Sequence, residues 1–178
     1  GSAIQMESGN GIHLWKSNHI TIKNNYVTGH RDGIYFEFVK ASLIHHNLSE
    51  KNFRYGLHFM FSDDDVYQYN TFKNNGSGVA VMYSKRIKMT NNVFKENWGS
   101  SIYGLLLKDI SYSQISNNNF IRNTTGVYME ACEEISISKN NFNNNGWAIR
   151  VLANCINSKF IANNFIANSF DVSTNGTL

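Results

Sequence analysis

Four segments decide the reading: NTFKNN at residues 70–75, NVFKEN at 92–97, NNFIRN at 118–123 and NNFNNN at 140–145. All share the form Asn-x-Phe-x-x-Asn, and self-similarity at a fixed period points to a repeat architecture. Extended in both directions, the first Asn falls at Asn25, Asn47, Asn70, Asn92, Asn118, Asn140 and Asn163. The steps are 22, 23, 22, 26, 22 and 23. Phe72, Phe94, Phe120, Phe142 and Phe165 align two residues on, with Val27 and Ser49 in the earlier copies. A closing column holds His30, Asn52, Asn75, Asn97, Asn123, Asn145 and Asn168. Glycine forms another at Gly11, Gly33, Gly56, Gly78, Gly104 and Gly126, continued by Ala148.

After each glycine the apolar residues alternate: Ile34/Phe36, Leu57/Phe59, Val79/Val81, Leu105/Leu107, Val127/Met129. Period 2 means strands with one face buried. A second apolar column lies three before the Asn, at Ile22, Ile44, Tyr67, Met89, Ile115, Ile137 and Phe160. Helical spacing does not recur in register with the repeat. Three short strands per 22–23 residues, separated by Asn and Gly turns, describe one coil of a parallel β-helix. The expected fold is all-β: a solenoid of 7–8 coils, residues 1–178 forming one domain that reads as a segment of a longer rod.

Composition agrees. The chain has 27 Asn and no Pro. Identical residues in successive coils sit ~4.8 Å apart, so stacked Asn side chains can link amide to amide. They also suit turns with strained dihedrals. Pro would lose a ladder bond in every coil. The 42% apolar content and 12 Phe exclude a disordered chain. The longest uncharged apolar run, Val79 to Tyr83, is far short of the ~18 residues of a membrane span. A net charge of +3 is too weak to predict nucleic-acid binding. Ice binding would need a regular Thr or Ser array, which no column provides.

If the first and third residues after each glycine point in, the second and fourth point out. The outward columns are His13, Tyr35, His58, Ala80, Leu106, Tyr128, Arg150 and Trp15, Glu37, Met60, Met82, Lys108, Glu130. One wall therefore carries an exposed strip of aromatic, histidine and methionine side chains. His58 and Met60 are i, i+2 on one strand, roughly 6–7 Å apart. Met82 stacks one coil from Met60, and Glu37 stacks on the other side. An imidazole with two thioethers is a soft set that suits Cu(I). His58, Met60 and Met82 are the candidate metal ligands, with Glu37, His13, Trp15 and Trp98 as an accessory surface. The plain alternative is a docking strip, since Met favours adaptable contacts.

Glycoside hydrolases need two acids ~5–9.5 Å apart. Glu37 and Glu130 lie four coils apart, near 19 Å by the coil spacing. Asp63, Asp64 and Asp65 form the one acidic run; it is either a Ca²⁺ site or a solvated turn. Arg31-Asp32 and Arg54 sit in adjacent coils and can pair. Cys132 and Cys155 each lie eight before their Asn and should stack, as thiols or a disulfide. His45-His46 reads as a turn pair or a metal clip. The one long step, 26, places an insertion near Trp98–Ser101.

The strings RDGIYFEF (31–38), RYGLHFMFS (54–62), GVAVMYS (78–84) and YGLLLKDI (103–110) resemble those of the NosD family, over nearly the whole chain. The resemblance implies a right-handed parallel β-helix and an exported, periplasmic protein; no signal sequence is present in these residues. It implies work in denitrification with an ABC-type ATPase, a membrane permease subunit and a copper chaperone lipoprotein. Copper would pass to nitrous oxide reductase during its maturation. It implies an accessory protein rather than an enzyme. The alternatives are a Ca-dependent polysaccharide lyase, hydrolase or epimerase, and a carbohydrate-binding scaffold using Trp15, Tyr35 and Tyr128.

Overall fold

The computed structural model describes residues 9–100, 102–152 and 154–174. Among them every element is a strand and every strand pair is parallel. They stack as a β-solenoid of about seven turns with three walls. The first wall runs through Ile12–Asn18, Asp32–Lys40, Tyr55–Met60, Ser77–Lys85, Tyr103–Ser116, Thr125–Glu130, Trp147–Val151 and Phe170–Thr174. The third is a seven-stranded sheet of three-residue strands from Tyr26–Thr28 to Asn164–Ile166. The second wall runs from Thr21–Lys23 through Lys88–Thr90 to Lys159–Ile161, and the 14-residue strand Tyr103–Ser116 turns the corner into it from the first without a break.

Register follows the columns read from sequence. Phe94 pairs with Phe72 and Phe120, and Met89 with Tyr67 and Ile115. The Phe rings stack face to face, Phe94 on Phe120 at 4.6 Å and Phe120 on Phe142 at 4.8 Å. This column and the wall residues Ile34, Phe36, Leu57, Phe59, Val79 and Val81 make one continuous core.

Asparagines form two ladders. Asn92 donates from Nδ2 to Asn118 Oδ1 (3.1 Å) and to the Tyr67 carbonyl (3.0 Å). Its own Oδ1 accepts from the Asn70 backbone N–H (2.9 Å) and side-chain amide (3.1 Å). The pattern repeats through Asn118, Asn140 and Asn163, and in the second ladder through Asn52, Asn75, Asn97, Asn123, Asn145 and Asn168. The left-handed residue is not the ladder Asn, as expected from sequence, but the one before it: Tyr69 (φ 54°), Asn91 (φ 57°), Asn117 (φ 55°). Its reversed backbone swings the following side chain inward, and only an amide satisfies both the donor and the acceptor found there. Each regular coil has four such corners, as at Phe61, Asp64, Tyr69 and Asn74.

The glycine column has a steric cause. A Cβ on Gly78 would press into the Gly104 carbonyl oxygen of the next coil. The pairing skips these glycines, Ser77 facing Tyr55 and Val79 facing Leu57. Both strands advance by the same count, so no residue is inserted, yet the residue before the glycine shares a side with the outward column: Tyr55 lies against His58. The 26-residue step is an insertion after Asn97, as expected. Gly99 is held by Thr124, donating its N–H to Oγ1 (2.8 Å) and accepting the hydroxyl proton at its carbonyl (2.9 Å). Ser101 lies outside the described residues.

Candidate metal site on the first wall

The first wall brings six of the seven candidate residues together. Met60 pairs directly with Met82 and Glu37, His58 with Tyr35 and Ala80, His13 with Tyr35, and Trp15 with Glu37. Trp98 is elsewhere. It projects from the insertion over a groove of about 540 Å³ lined by Asn74, Glu96, Arg122 and Asn144.

The strip is not open at His58. That side chain is 9% exposed and lies between the rings of Tyr35 (5.3 Å) and Tyr55 (4.8 Å). Tyr55 and Asp32 belong to the column before the glycines, and both lie on the His58 side of the wall. Ala80 and Leu106 are buried in the same outward column, while Met60 and Met82 remain half-buried.

Asp32 is wholly buried beside His58. Arg54 grips it with two bonds, Nε to Oδ1 (2.8 Å) and Nη2 to Oδ2 (2.6 Å), which realises the expected pairing. Burial pushes the carboxyl up, but the imidazole and guanidinium beside it outweigh burial and hold it at about 2. His58 Nδ1 is 3.6 Å from Asp32 Oδ2, beyond hydrogen-bond reach, and neither ring nitrogen has a partner. An unpartnered buried imidazole costs free energy that needs a reason. A metal at one nitrogen would supply it, with Asp32 orienting the other, as carboxylates do behind metal-bound histidines. Among the described residues no three His, Cys, Asp or Glu side chains converge to hold a metal. Met60 and Met82 lie on the same wall, and thioether donors suit a soft ion such as Cu(I).

We expect Arg54→Ala to leave Asp32 buried without its counter-ion. Half-exposed Arg54 is partly screened by water, so the cost is about 2–3 kcal/mol in urea unfolding at pH 7. Arg54→Lys should recover only part of it, because one ammonium cannot replace the fork. An Arg54→Ala variant as stable as wild type would refute this role.

The acidic run does not form a Ca²⁺ cradle. Asp65 points into the core, where it accepts the Ser42 N–H (2.8 Å). Asp64 pairs with Arg86 (2.6 Å), and Asp63 accepts the Lys85 N–H (2.9 Å). The left-handed turn at Asp64 (φ 60°) sends neighbouring side chains to opposite sides of the wall. Glu37 and Glu130 share a column with Met60, Met82 and Lys108 between them, so they cannot act as a pair. His45 and His46 share a hydrogen bond between their Nδ1 atoms (2.8 Å) at a turn.

Sequence reasoning missed the corner beside the strip. Phe38, Phe61 and Tyr83 directly follow Glu37, Met60 and Met82. Each is left-handed and partly exposed, and the rings stack at 5.2 Å spacing. They line a groove of about 360 Å³ with Lys40, Lys85 and Asp109. The available signal was three large aromatics at the fifth position after glycine in consecutive coils.

Comparison with known proteins agrees with this fold. The chain resembles the enzymatically active domain of bacteriophage CBA120 tailspike protein 2 (TM-score 0.64, 15% identity, 82% of this chain and 23% of that one). It also resembles the A-module of the Azotobacter vinelandii mannuronan C-5 epimerase AlgE4 (TM-score 0.52, 14% identity, 90% of this chain and 58% of that one). At such identity the likeness is one of fold alone, and the chain spans less than two thirds of either structure. No curated protein matches significantly. A family model described as periplasmic copper-binding protein (NosD) matches residues 1–178, and the chain belongs to that family.

Proposed function

We propose that this protein accepts and passes on Cu(I) at His58, Met60 and Met82. The observation carrying this reading is the buried imidazole of His58, with no partner at either nitrogen, in a wall where Met60 and Met82 stack in register. Copper is cargo here. His58 would supply a nitrogen, the methionines two thioether sulfurs, and Asp32 the orientation of the ring. The half-buried methionines leave a face for exchange, and the aromatic corner of Phe38, Phe61 and Tyr83 lies beside it. The role we propose is accessory rather than enzymatic. It serves maturation of nitrous oxide reductase, with a copper chaperone lipoprotein as donor and an ABC-type ATPase and permease as partners. Family membership supports copper and the periplasm; the named partners are part of the proposal.

Anaerobic Cu(I) titration against a competing chelator tests the site. We expect micromolar or tighter binding, weakened at least tenfold in Met60→Ala, Met82→Ala and His58→Ala, and unchanged in Trp98→Ala. Binding that survives both methionine substitutions would remove the assignment. The two similar structures are an enzymatically active domain and the A-module of an epimerase. Depolymerisation or epimerisation of an acidic polysaccharide with added Ca²⁺ would favour the carbohydrate-active reading instead.

A further inference from the structure

The chain has two cysteines, Cys132 and Cys155, and the fold sets them on successive coils at one corner. Each follows a left-handed residue, Ala131 (φ 52°) and Asn154 (φ 68°). The same column in earlier coils holds Val39, Ser62, Ser84 and Ile110, so its side chains turn inward. Side-chain atoms there reach the neighbouring coil: the Val39 N–H donates to Ser62 Oγ (3.1 Å), and the Ser62 N–H to Ser84 Oγ (3.0 Å). Cys132 and Cys155 hold adjacent positions of this column, one residue before the paired Glu133 and Ile156.

At this corner the strand ladder between the two coils is interrupted. The strand Trp147–Val151 ends before it and Lys159–Ile161 begins after it. Between them, among the described residues, the coils are joined by the isolated bridge of Glu133 with Ile156, made by the Ile156 N–H to the Cys132 carbonyl (2.9 Å) and the Glu134 N–H to the Ile156 carbonyl (3.1 Å), and by the Leu152 N–H to the Met129 carbonyl (2.9 Å). Backbone neighbours in a parallel ladder lie ~4.8 Å apart at Cα, inside the range a disulfide spans. The family is described as periplasmic, a compartment that sustains disulfides.

We propose that Cys132 and Cys155 are a disulfide-forming pair that staples these two coils where the strand ladder is interrupted. The oxidant is a small-molecule or protein disulfide. Cys155, the more exposed sulfur, attacks one oxidant sulfur and releases a first thiol. Cys132 then attacks the Cys155 sulfur of the mixed disulfide and releases the second. Two cysteine thiols become one disulfide, and the oxidant disulfide becomes two thiols that keep the two protons. Burial and the neighbouring sulfur push the Cys132 thiol up to about 12, so its step is the slower. The bridge would close a loop of about 23 residues and restrict the unfolded chain.

The test uses metal-free protein with a chelator present, so it stands apart from the copper reading. The protein is incubated with glutathione disulfide, denatured, alkylated with N-ethylmaleimide and weighed. We expect no alkylation, a peptide pair joining Cys132 to Cys155, and a thermal midpoint raised by about 5–10 °C. Dithiothreitol should reverse the rise. Cys155→Ser, which copies the serines of this column, should fold and show no response to oxidant. Two alkylated thiols after oxidation, a lasting glutathione adduct, a disulfide between two molecules, or a bridge that leaves the midpoint unmoved would each overturn the proposal.

Discussion

Replacing Asn92 with alanine is expected to destabilise the protein by about 4 kcal/mol, more than most single substitutions cost. The buried amide serves three neighbours at once. Without it the Asn70 backbone N–H and one Asn70 amide hydrogen lose their acceptor, and the Tyr67 carbonyl loses its donor. Each unsatisfied buried group costs about 1–3 kcal/mol. Asn92→Asp should be at least as damaging near neutral pH, since it sets a carboxylate against the Tyr67 carbonyl and Asn118 Oδ1. Asn25→Ala makes the comparison informative. Asn25 is half-buried at the start of the ladder and donates to Lys23 O and Asn47 Oδ1, so its loss should cost about 1 kcal/mol. Urea unfolding of the three variants reads the gradient. Equal costs for Asn25→Ala and Asn92→Ala would mean the ladder does not work by satisfying buried groups.

The fold was readable because its constraints recur at each coil. A buried amide is needed once per Asn corner, and a residue without a Cβ where coils approach closest. Both needs fall on single residue types, and the period exposes them. The left-handed corners were not readable as such. They are filled by Phe38, Lys51, Tyr69, Glu96 and Arg122, none a typical turn residue, because neighbouring coils over-determine the backbone.

The site was readable in part. The register correctly set Met60 against Met82 and Glu37, because stacking needs only equal spacing from the glycine. What spacing does not show is the unpaired glycine. Asp32 and Tyr55, the residues just before it in adjacent coils, lie around His58. The ring is therefore buried and flanked, and the Asp32–Arg54 pair belongs to its surroundings. Trp98 was a candidate because it lies on the inserted loop; its coil position puts it on another face.

Asp65 is expected to make the protein less stable as pH rises from about 4 to 7. Its side chain fills a corner position held by Ser42 in the preceding coil and Ser113 two coils on, where a serine hydroxyl accepts a backbone N–H. Asp65 does the same for Ser42, but brings a carboxyl into the core. Burial pushes that group up to about 7, against the Ser42 and Tyr67 bonds that favour its charged form; the nearby Asp63 and Asp64 add to the rise. The folded protein thus keeps a proton that the unfolded chain releases near 3.8. Between these values the folded state binds more protons, so stability falls with rising pH, by roughly 4 kcal/mol at most, and levels off above 7. Asp32 acts in a separate window and with opposite sign. Held at about 2, it loses its stabilising charge only as pH falls below 3.8. Asp65→Asn should keep the bond from Ser42 and remove the titration. Urea unfolding at pH 4.5, 6 and 8 should show the variant close to wild type at the lowest pH and clearly more stable at pH 8. A variant whose stability follows wild type at all three would show that Asp65 stays ionised in the folded protein, and that the corner tolerates its charge.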